Sequence, residues 1–514
     1  MPYSISSTIL WTGLVLLLWR KYVKLRRGAT VQLPLPPGPK PLPFIGNALD
    51  IPTRQPWKTY KEWTNVYGDI IHMQSFGQSI IILNSLKPVN ELFEKRSSNY
   101  SDRLQTEMHT LIGWEWDFGL MKYGQWWRRH RRAFHQYFNQ TSIREYDPQI
   151  KAASLGFLRN LYNEPRGFAH HIRYLFGSSV LLVVYGIRTA DRNDPYIEVS
   201  ERAIEGAIDG FTPGHFWVDF LPFLKYVPAW MPGAEFKRKS AKWRVEALAL
   251  KEDPWNATVT DGPFTPVAVK LMERMSHLHG EAYAEEEDIA KNTAGVAYGA
   301  GSDTTVSTLH SFILAMALHP EVQNRAQEEL MRVIGPDRLP EFSDRDELPY
   351  INVLCKECVR WQPVTPLGLA HKSIKDDEYN GFRIPGGSVL MQNTWAILHD
   401  PEMYPDPEAF KPERYLKDGR VNPAILDPTT VAFGTGRRIC PGRHFSDLSL
   451  FINVASVLHL FDISPGVDAD GKPRKLEPNM TTGFLSHPDP FECDIKPRSE
   501  AIAQLISGDN YQRQ

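Results

Sequence analysis

Cysteine is scarce in this chain, with four residues (Cys355, Cys358, Cys440 and Cys493) in a total of 514. That excludes a disulfide scaffold, fits a reducing compartment such as the cytosol, and leaves any single cysteine free for other chemistry. A surplus of charge is also lacking, since 58 Lys and Arg face 60 Asp and Glu. Nothing in the overall balance therefore suggests a nucleic-acid partner, and charge has to be read locally. Internal repeats, low-complexity tracts and a second proline-rich linker are missing as well. The length would allow about three domains on size alone. With no visible boundary it reads as one large globular unit.

What is present begins at the N-terminus, where the first nineteen residues carry no charged side chain and Ile9–Trp19 is strongly apolar. A basic cluster follows at Arg20, Lys21, Lys24, Arg26 and Arg27. A cleaved signal peptide is the alternative, but there the positive charge precedes the apolar stretch and a small-residue cleavage site follows it. The order found here predicts a membrane anchor over residues 1–20 with a cytosolic C-terminal side. Residues 21–47 then read as a basic stop and a proline-rich hinge, Leu33–Asn47, whose prolines impose an extended course. A globular unit over 48–507 and a tail over 508–514 complete the expected organisation.

Within the globular unit, Glu285–His319 carries a helical pattern that opens on an acidic run and stops at Pro320. Its centre holds Gly295, Gly299 and Gly301, each costing about 1 kcal/mol against alanine in a helix interior. Small residues there admit something bulky and flat against the backbone, or let the helix open at a functional site. Strand-like runs near Ile70–His72 and Ser79–Leu83, a helix over Leu348–Trp361 and an irregular stretch over His399–Leu416 give a mainly α fold with a minor β-sheet region.

The sharpest signal is Phe433-Gly-Thr-Gly436-Arg-Arg438-Ile-Cys440-Pro-Gly442, followed by a new apolar helical pattern through Leu460. A thiolate on iron needs backbone N–H donors, glycines that let the chain curl around sulfur, and the positive end of a helix beyond it. This segment supplies all three, and Arg438 can reach a carboxylate such as a porphyrin propionate. A turn around a buried cysteine would account for Cys-Pro-Gly alone, but not for the whole spaced pattern. The segment resembles the heme-binding signature of the cytochrome P-450 family, with every fixed position filled.

That resemblance implies a helix-rich triangular prism with heme b held between a long central helix and the loop of Cys440, the axial iron ligand. It also implies a monooxygenase that uses dioxygen. Ala300-Gly301-Ser-Asp303-Thr304-Thr305 is similar to the family's oxygen-activation motif, with Thr304 and Asp303 as catalytic residues that deliver protons. Glu357-Cys-Val-Arg360, with Arg414, resembles the family's structural Glu-x-x-Arg network. The Cys355-x-x-Cys358 spacing on the same helix has no second pair and is not expected to bind metal. In Trp127-Arg-Arg-His-Arg131-Arg, Trp127 and Arg131 match propionate contacts, and the outward arginines match an electron-donor surface. His371 resembles a third propionate contact, with a satisfied core histidine as the other reading. Ser446 stands where the family usually has alanine, which predicts a slight change of packing. The substrate pocket would draw on Leu111–Leu120, Val296, Ala300, Val364, Leu369 and Phe484, a mostly apolar and aromatic set.

The resemblance extends from the anchor to Thr481–Leu485 and is nearest to microsomal oxidases of secondary metabolism in mushroom-forming fungi, one of which hydroxylates an indole amine. No NADPH or flavin fingerprint and no iron–sulfur module occurs in the chain, so electrons are expected from NADPH through a separate flavoprotein, the cytochrome P-450 reductase, with cytochrome b5 as an accessory donor. The expected protein is a single-pass monomer of the endoplasmic reticulum membrane, in contact with membrane lipid. Its expected task is to hydroxylate or epoxidise an apolar small molecule, a secondary metabolite such as a terpenoid, with polyketides and indoles also suited to such a pocket. A reductase-independent isomerase or dehydratase, or a non-catalytic heme sensor, would not need Asp303 and Thr304.

Overall fold

Proline sets the first turn of helices that frame the fold, at Pro56–Tyr67, Pro195–Phe211, Pro320–Val333 and Pro349–Trp361. The missing N–H is one that has no partner at a helix start in any case. The computed structural model describes residues 33–190, 192–212, 215–467, 470–499 and 504–506. The expected anchor over 1–20 and the basic stop lie outside the described residues. No helix among the described residues is long and apolar enough to cross a membrane.

Helices dominate, as the patterning predicts. Two of them, Thr304–Leu318 and Arg443–Leu460, are buried on nearly every side, as helices in the middle of a large core are. The small sheet has the strand order Ile70–Ser75, Gln78–Leu83, Val389–Gln392, His371–Lys372, Asp102–Arg103. Its second and third strands run parallel, with Ile80 opposite Val389, and the others pair antiparallel. At its far edge the register sets Arg103 opposite His371. One apolar core joins the helices, and a second, smaller one, with Ile71, Met73, Ile82 and Val389, lies under the sheet.

The expected single helix over Glu285–His319 is two helices, Gly280–Gly301 and Thr304–Leu318, separated at Ser302 and Asp303. Asp303 has φ −127° and ψ −32°, outside helical geometry. The run of small residues before it is the physical reason, because it raises the cost of helix there and supplies no side chain to bridge the gap. The glycines also admit flat groups, but these belong to the protein. A Cβ at Gly295 would lie 3.0 Å from the Trp116 ring, and one at Gly299 3.7 Å from that of Trp114.

The helix Pro349–Trp361 carries Glu357 and Arg360, both wholly buried, and their side chains pair in fork-to-fork fashion at 2.7 and 2.9 Å. Arg414 Nε adds a bond of 3.2 Å to the same carboxylate, so the three-residue network expected from the motif is present. Cys355 and Cys358 are buried free thiols on that helix, and no cluster of metal-binding side chains occurs among the described residues.

Candidate active site

Cys440 lies between the short helix Gly436–Arg438 and the helix Arg443–Leu460. Its N–H donates to the Phe433 carbonyl at 2.8 Å, which closes the loop on itself. Gly436 has φ 69°, and a Cβ there would fall 2.0 Å from the Phe93 carbonyl oxygen. Only glycine lets the loop press that closely against the neighbouring helix Asn90–Lys95. Gly442 caps the following helix, and its N–H and that of Arg443 face the sulfur. Burial pushes the thiol up, while these N–H groups and the charges of Arg131 and Arg443 pull it down without cancelling the rise. A metal ion at the sulfur would deprotonate it outright.

Three buried or half-buried guanidiniums gather beside this loop. Arg438 donates to the carbonyls of Ser101 at 2.8 Å, Phe118 at 3.3 Å and Met121 at 2.6 Å, and lies 4.3 Å over the Trp127 ring. Arg103 donates to Gly119, Leu369 and Ala370 carbonyls. Arg131 makes no hydrogen bond or ion pair with any described residue. Burial first, and then the neighbouring arginines, bring Arg438 down to about 8; burial brings Arg103 and Arg131 to about 10. Asp102 and Asp117 are the carboxylates whose charge acts on these arginines, and Asp117 is itself pushed up to about 6 by burial, so the three guanidiniums exceed the negative charge around them. Buried cations without a counter-charge are strongly unfavourable. A ligand bearing two carboxylates, as heme does, fits this donor set. His371 bonds through Nδ1 to the Tyr100 carbonyl at 2.6 Å and stacks on Phe93 with centroids 4.0 Å apart. It is a packed core histidine on that nitrogen, and burial keeps its imidazole well below its ordinary range.

On the other side of the site, Ala300 is exposed although Val296, Ala297, Tyr298, Ser302 and Asp303 around it are buried. Ala300 is therefore accessible at the end of the first helix, amid buried neighbours. Thr304 donates its hydroxyl to the Ala300 carbonyl at 2.9 Å, across the break. The next residue, Thr305, donates to Ser446 at 3.1 Å. That bond ties the break to the helix following Cys440, so Ser446 contributes a cross-helix hydrogen bond rather than the slight packing change expected of it. Asp303 is the N-cap of the second helix but makes no capping bond. Its Oδ1 accepts from Arg173 at 2.9 Å and its Oδ2 from His487 at 3.1 Å. Burial raises this carboxyl, but the His487 hydrogen bond and the charges of His487 and Arg173 outweigh it and leave the group below its usual range.

Of the expected pocket residues, Phe484 and the Leu111–Leu120 segment are linked through aromatic contacts. Phe484 lies edge-on to Phe211 at 6.2 Å, and Phe211 edge-on to Trp114 at 6.0 Å. Trp114 and Trp116 stack at 5.0 Å against Gly295 and Gly299 of the broken helix. The Ser486 N–H donates to the Val364 carbonyl at 2.8 Å, which brings the Phe484 turn beside Val364. Leu369 is half-buried, next to Arg103. Of the outward arginines, Arg129 is not free: it pairs with Glu285 and Glu286 at 2.7 and 3.0 Å. Lys122, Arg128, Arg132 and Arg437 are exposed. Arg103, Arg173 and His487 are additions that sequence reasoning missed. Arg103 stands alone in a two-residue strand, Arg173 occupies an otherwise apolar helix, and His487 lies in a loop, so none carries a local signal.

The Cytochrome P450 family profile matches residues 36–495. Cytochrome P450 monooxygenase COX2 of Coprinopsis cinerea is 44% identical over 477 residues, covering 92% of this chain and 90% of that protein. Cytochrome P450 monooxygenase ple1 of Rhodocybe pseudopiperita is 42% identical, covering 92% and 91%. Tryptamine 4-monooxygenase of Psilocybe cyanescens is 40% identical, covering 92% and 95%. Together with a half-buried cysteine loop tied to a helix that breaks at an Asp-Thr pair, these matches lead to one conclusion: the chain belongs to the cytochrome P450 family of oxidoreductases and is a monooxygenase.

Proposed function

We propose that this monooxygenase draws electrons from NADPH through a separate flavoprotein reductase and inserts oxygen into a neutral, apolar secondary metabolite of terpenoid type. When bound through Cys440, the heme supplies the activation of dioxygen. Arg131, Arg438 and Arg103 would neutralise its propionates, with Trp127 stacked against Arg438 and the free nitrogen of His371 alongside. Thr304, tethered to the Ala300 carbonyl, would hold a proton at the helix break, and Asp303 would hand it on through water. The observation that carries this reading is the accessible Ala300 beside Thr304, at a helix break that packs on the Trp114–Phe211–Phe484 aromatics and is tied to the Cys440 helix through Thr305 and Ser446.

Charge favours a neutral substrate. Of the carboxylates near the aromatic wall, Glu107 is engaged by Lys225, Asp219 by the Met108 N–H, Asp117 by the Gly119 N–H and Asp303 by Arg173, and Glu115 is exposed. That leaves the first four unavailable to a cationic amine. The test is reconstitution of the holoenzyme with NADPH–cytochrome P450 reductase and ¹⁸O-labelled dioxygen, offering sesquiterpene hydrocarbons, neutral aromatic polyketides and tryptamine. The expected products are neutral scaffolds carrying one labelled oxygen atom. Oxygenation of tryptamine with no neutral compound accepted would overturn the substrate reading. The exposed Lys122, Arg128, Arg132 and Arg437 give the reductase, and cytochrome b5, a basic face beside the Cys440 loop.

The same reading places the chain on the endoplasmic reticulum membrane as a monomer with its catalytic unit in the cytosol. Besides the apolar N-terminus, Phe44 is 87% exposed, Trp230 79% and Trp217 63%. Phe76 joins the two segments: its N–H donates to the Ile45 carbonyl and its ring meets Trp217 at 5.8 Å. An apolar surface of this kind, rich in Trp and Tyr, suits a bilayer interface. In fractionated host cells the full chain is expected in the microsomal pellet, and its recovery in the high-speed supernatant would contradict the assignment.

A further inference from the structure

Aspartate is among the best N-cap residues, and an unused cap forgoes helix stability. Asp303 stands at the N-cap of Thr304–Leu318, yet its carboxylate turns away from the helix amides. Both its oxygens are engaged instead, Oδ1 by Arg173 and Oδ2 by His487. The Arg173 side chain is 38% exposed and the His487 side chain 13%. One arm of the carboxylate thus reaches toward solvent and the other into the protein.

The inner arm belongs to a stiff turn. Thr481 N–H donates to the His487 carbonyl at 2.8 Å, His487 N–H to Thr481 Oγ1 at 3.0 Å, and Ser486 Oγ to the Thr481 carbonyl at 2.9 Å. Ser307, one turn beyond Asp303, donates to the Ser486 carbonyl at 2.5 Å. The turn carries Phe484, whose ring meets Phe211 in the pocket wall. His487 Nδ1 is buried without a partner, while Nε2 contacts Asp303. A carboxylate only accepts, so Nε2 is the nitrogen that carries the proton donated to Asp303. His310 is the other titratable group facing the pair, and burial, with the charges of Arg173 and His487, brings it down to about 4, so it stays neutral.

We propose that His487 is a positioning residue for proton delivery: it holds Asp303 off the helix cap and registers it to the Phe484 turn, so that the pocket wall and the proton route move as one unit. This rests on the assignment of Asp303 to proton delivery made above. Arg173 alone would leave Oδ2 free to swing back to the vacant helix amides, out of line with Thr304.

The partition of dioxygen reads this without knowledge of the substrate. Dioxygen given two electrons and two protons leaves as hydrogen peroxide; given four of each, it leaves as two waters. Holoenzyme reconstituted with reductase and NADPH, and no added substrate, is assayed for the share of NADPH electrons recovered as peroxide, in light and heavy water. Asp303→Asn and His487→Leu are both expected to raise the peroxide share, His487→Leu by at least about twofold, with His487→Gln restoring it because a donor to Asp303 remains. A second readout is the melting temperature of the holoenzyme in a double-mutant cycle, where the two substitutions together are expected to cost less than the sum of the singles.

A raised share in Asp303→Asn with none in His487→Leu, or additive melting losses, overturns the role of His487 alone. An unchanged share in Asp303→Asn overturns the proton-delivery assignment beneath it. The carbon monoxide difference spectrum establishes first that each variant has assembled. If His487→Leu fails to assemble, His487→Gln decides, and a peroxide share matching that of Asp303→Asn overturns the proposal.

Discussion

Replacing Cys440 with serine is expected to remove the red-shifted thiolate band from the carbon monoxide difference spectrum and to lower NADPH-supported oxygenation by about a thousandfold, equivalent to ~4 kcal/mol in the barrier. The reason lies in the loop as much as in the ligand. Burial raises the thiol, and the N–H groups of Gly442 and Arg443 and the charges of Arg131 and Arg443 favour its ionised form. A hydroxyl in the same place has a far higher pKa and donates much less electron density to a metal. The surrounding architecture should survive, because the closing bond of the loop runs from the residue 440 backbone to Phe433 and does not involve the side chain. The check is therefore twofold: total heme by pyridine hemochrome, and the position of the carbon monoxide band. Retention of the red-shifted band in Cys440→Ser would falsify the assignment of the ligand, whatever the activity.

The loop and the helix break were legible in the sequence for the same reason: both need residue types that ordinary structure avoids. Gly436 is demanded by a positive φ and a 2.0 Å approach to Phe93, and no other residue can stand in for it. Gly295, Gly299 and Gly301 flagged the broken helix, although the flat groups lying against them are Trp116 and Trp114 and not a cofactor alone. The network of Glu357, Arg360 and Arg414 was legible only through its spacing, since an i,i+3 pair on a surface helix has the same pattern. What stayed hidden depends on contacts between distant segments. Arg103 reaches the site because a short strand pairs it with His371 across 268 positions of chain, and Arg173 and His487 reach Asp303 from a helix and a loop that share no motif with it. Arg129 looked outward in the basic run, and its actual partners, Glu285 and Glu286, lie on another helix.

Removal of the Glu357 carboxylate is expected to be among the most destabilising single changes in the molecule, at about 3–5 kcal/mol. One carboxylate here serves two guanidiniums and the Lys411 N–H, and its side chain and that of Arg360 are 0% exposed, while that of Arg414 is 6% exposed. The remaining guanidinium donors are satisfied by carbonyls: Leu398, Pro407 and Ala409 for Arg360, and Pro405, Asp406 and Ala409 for Arg414. Those carbonyls all belong to the irregular stretch between Leu398 and Lys411, which has little regular structure of its own to hold it. Glu357→Ala therefore removes the carboxylate paired with two buried guanidiniums, and it unfastens the segment that they hold. Glu357→Gln keeps the volume and an acceptor but not the charge, so its loss should be smaller than that of alanine and still well above a surface substitution. Urea unfolding of the holoenzyme, followed together with heme release, measures both variants. If Glu357→Ala unfolded within about 1 kcal/mol of the parent, the network would be worth no more than an exposed ion pair, and the fold's dependence on it would have to be abandoned.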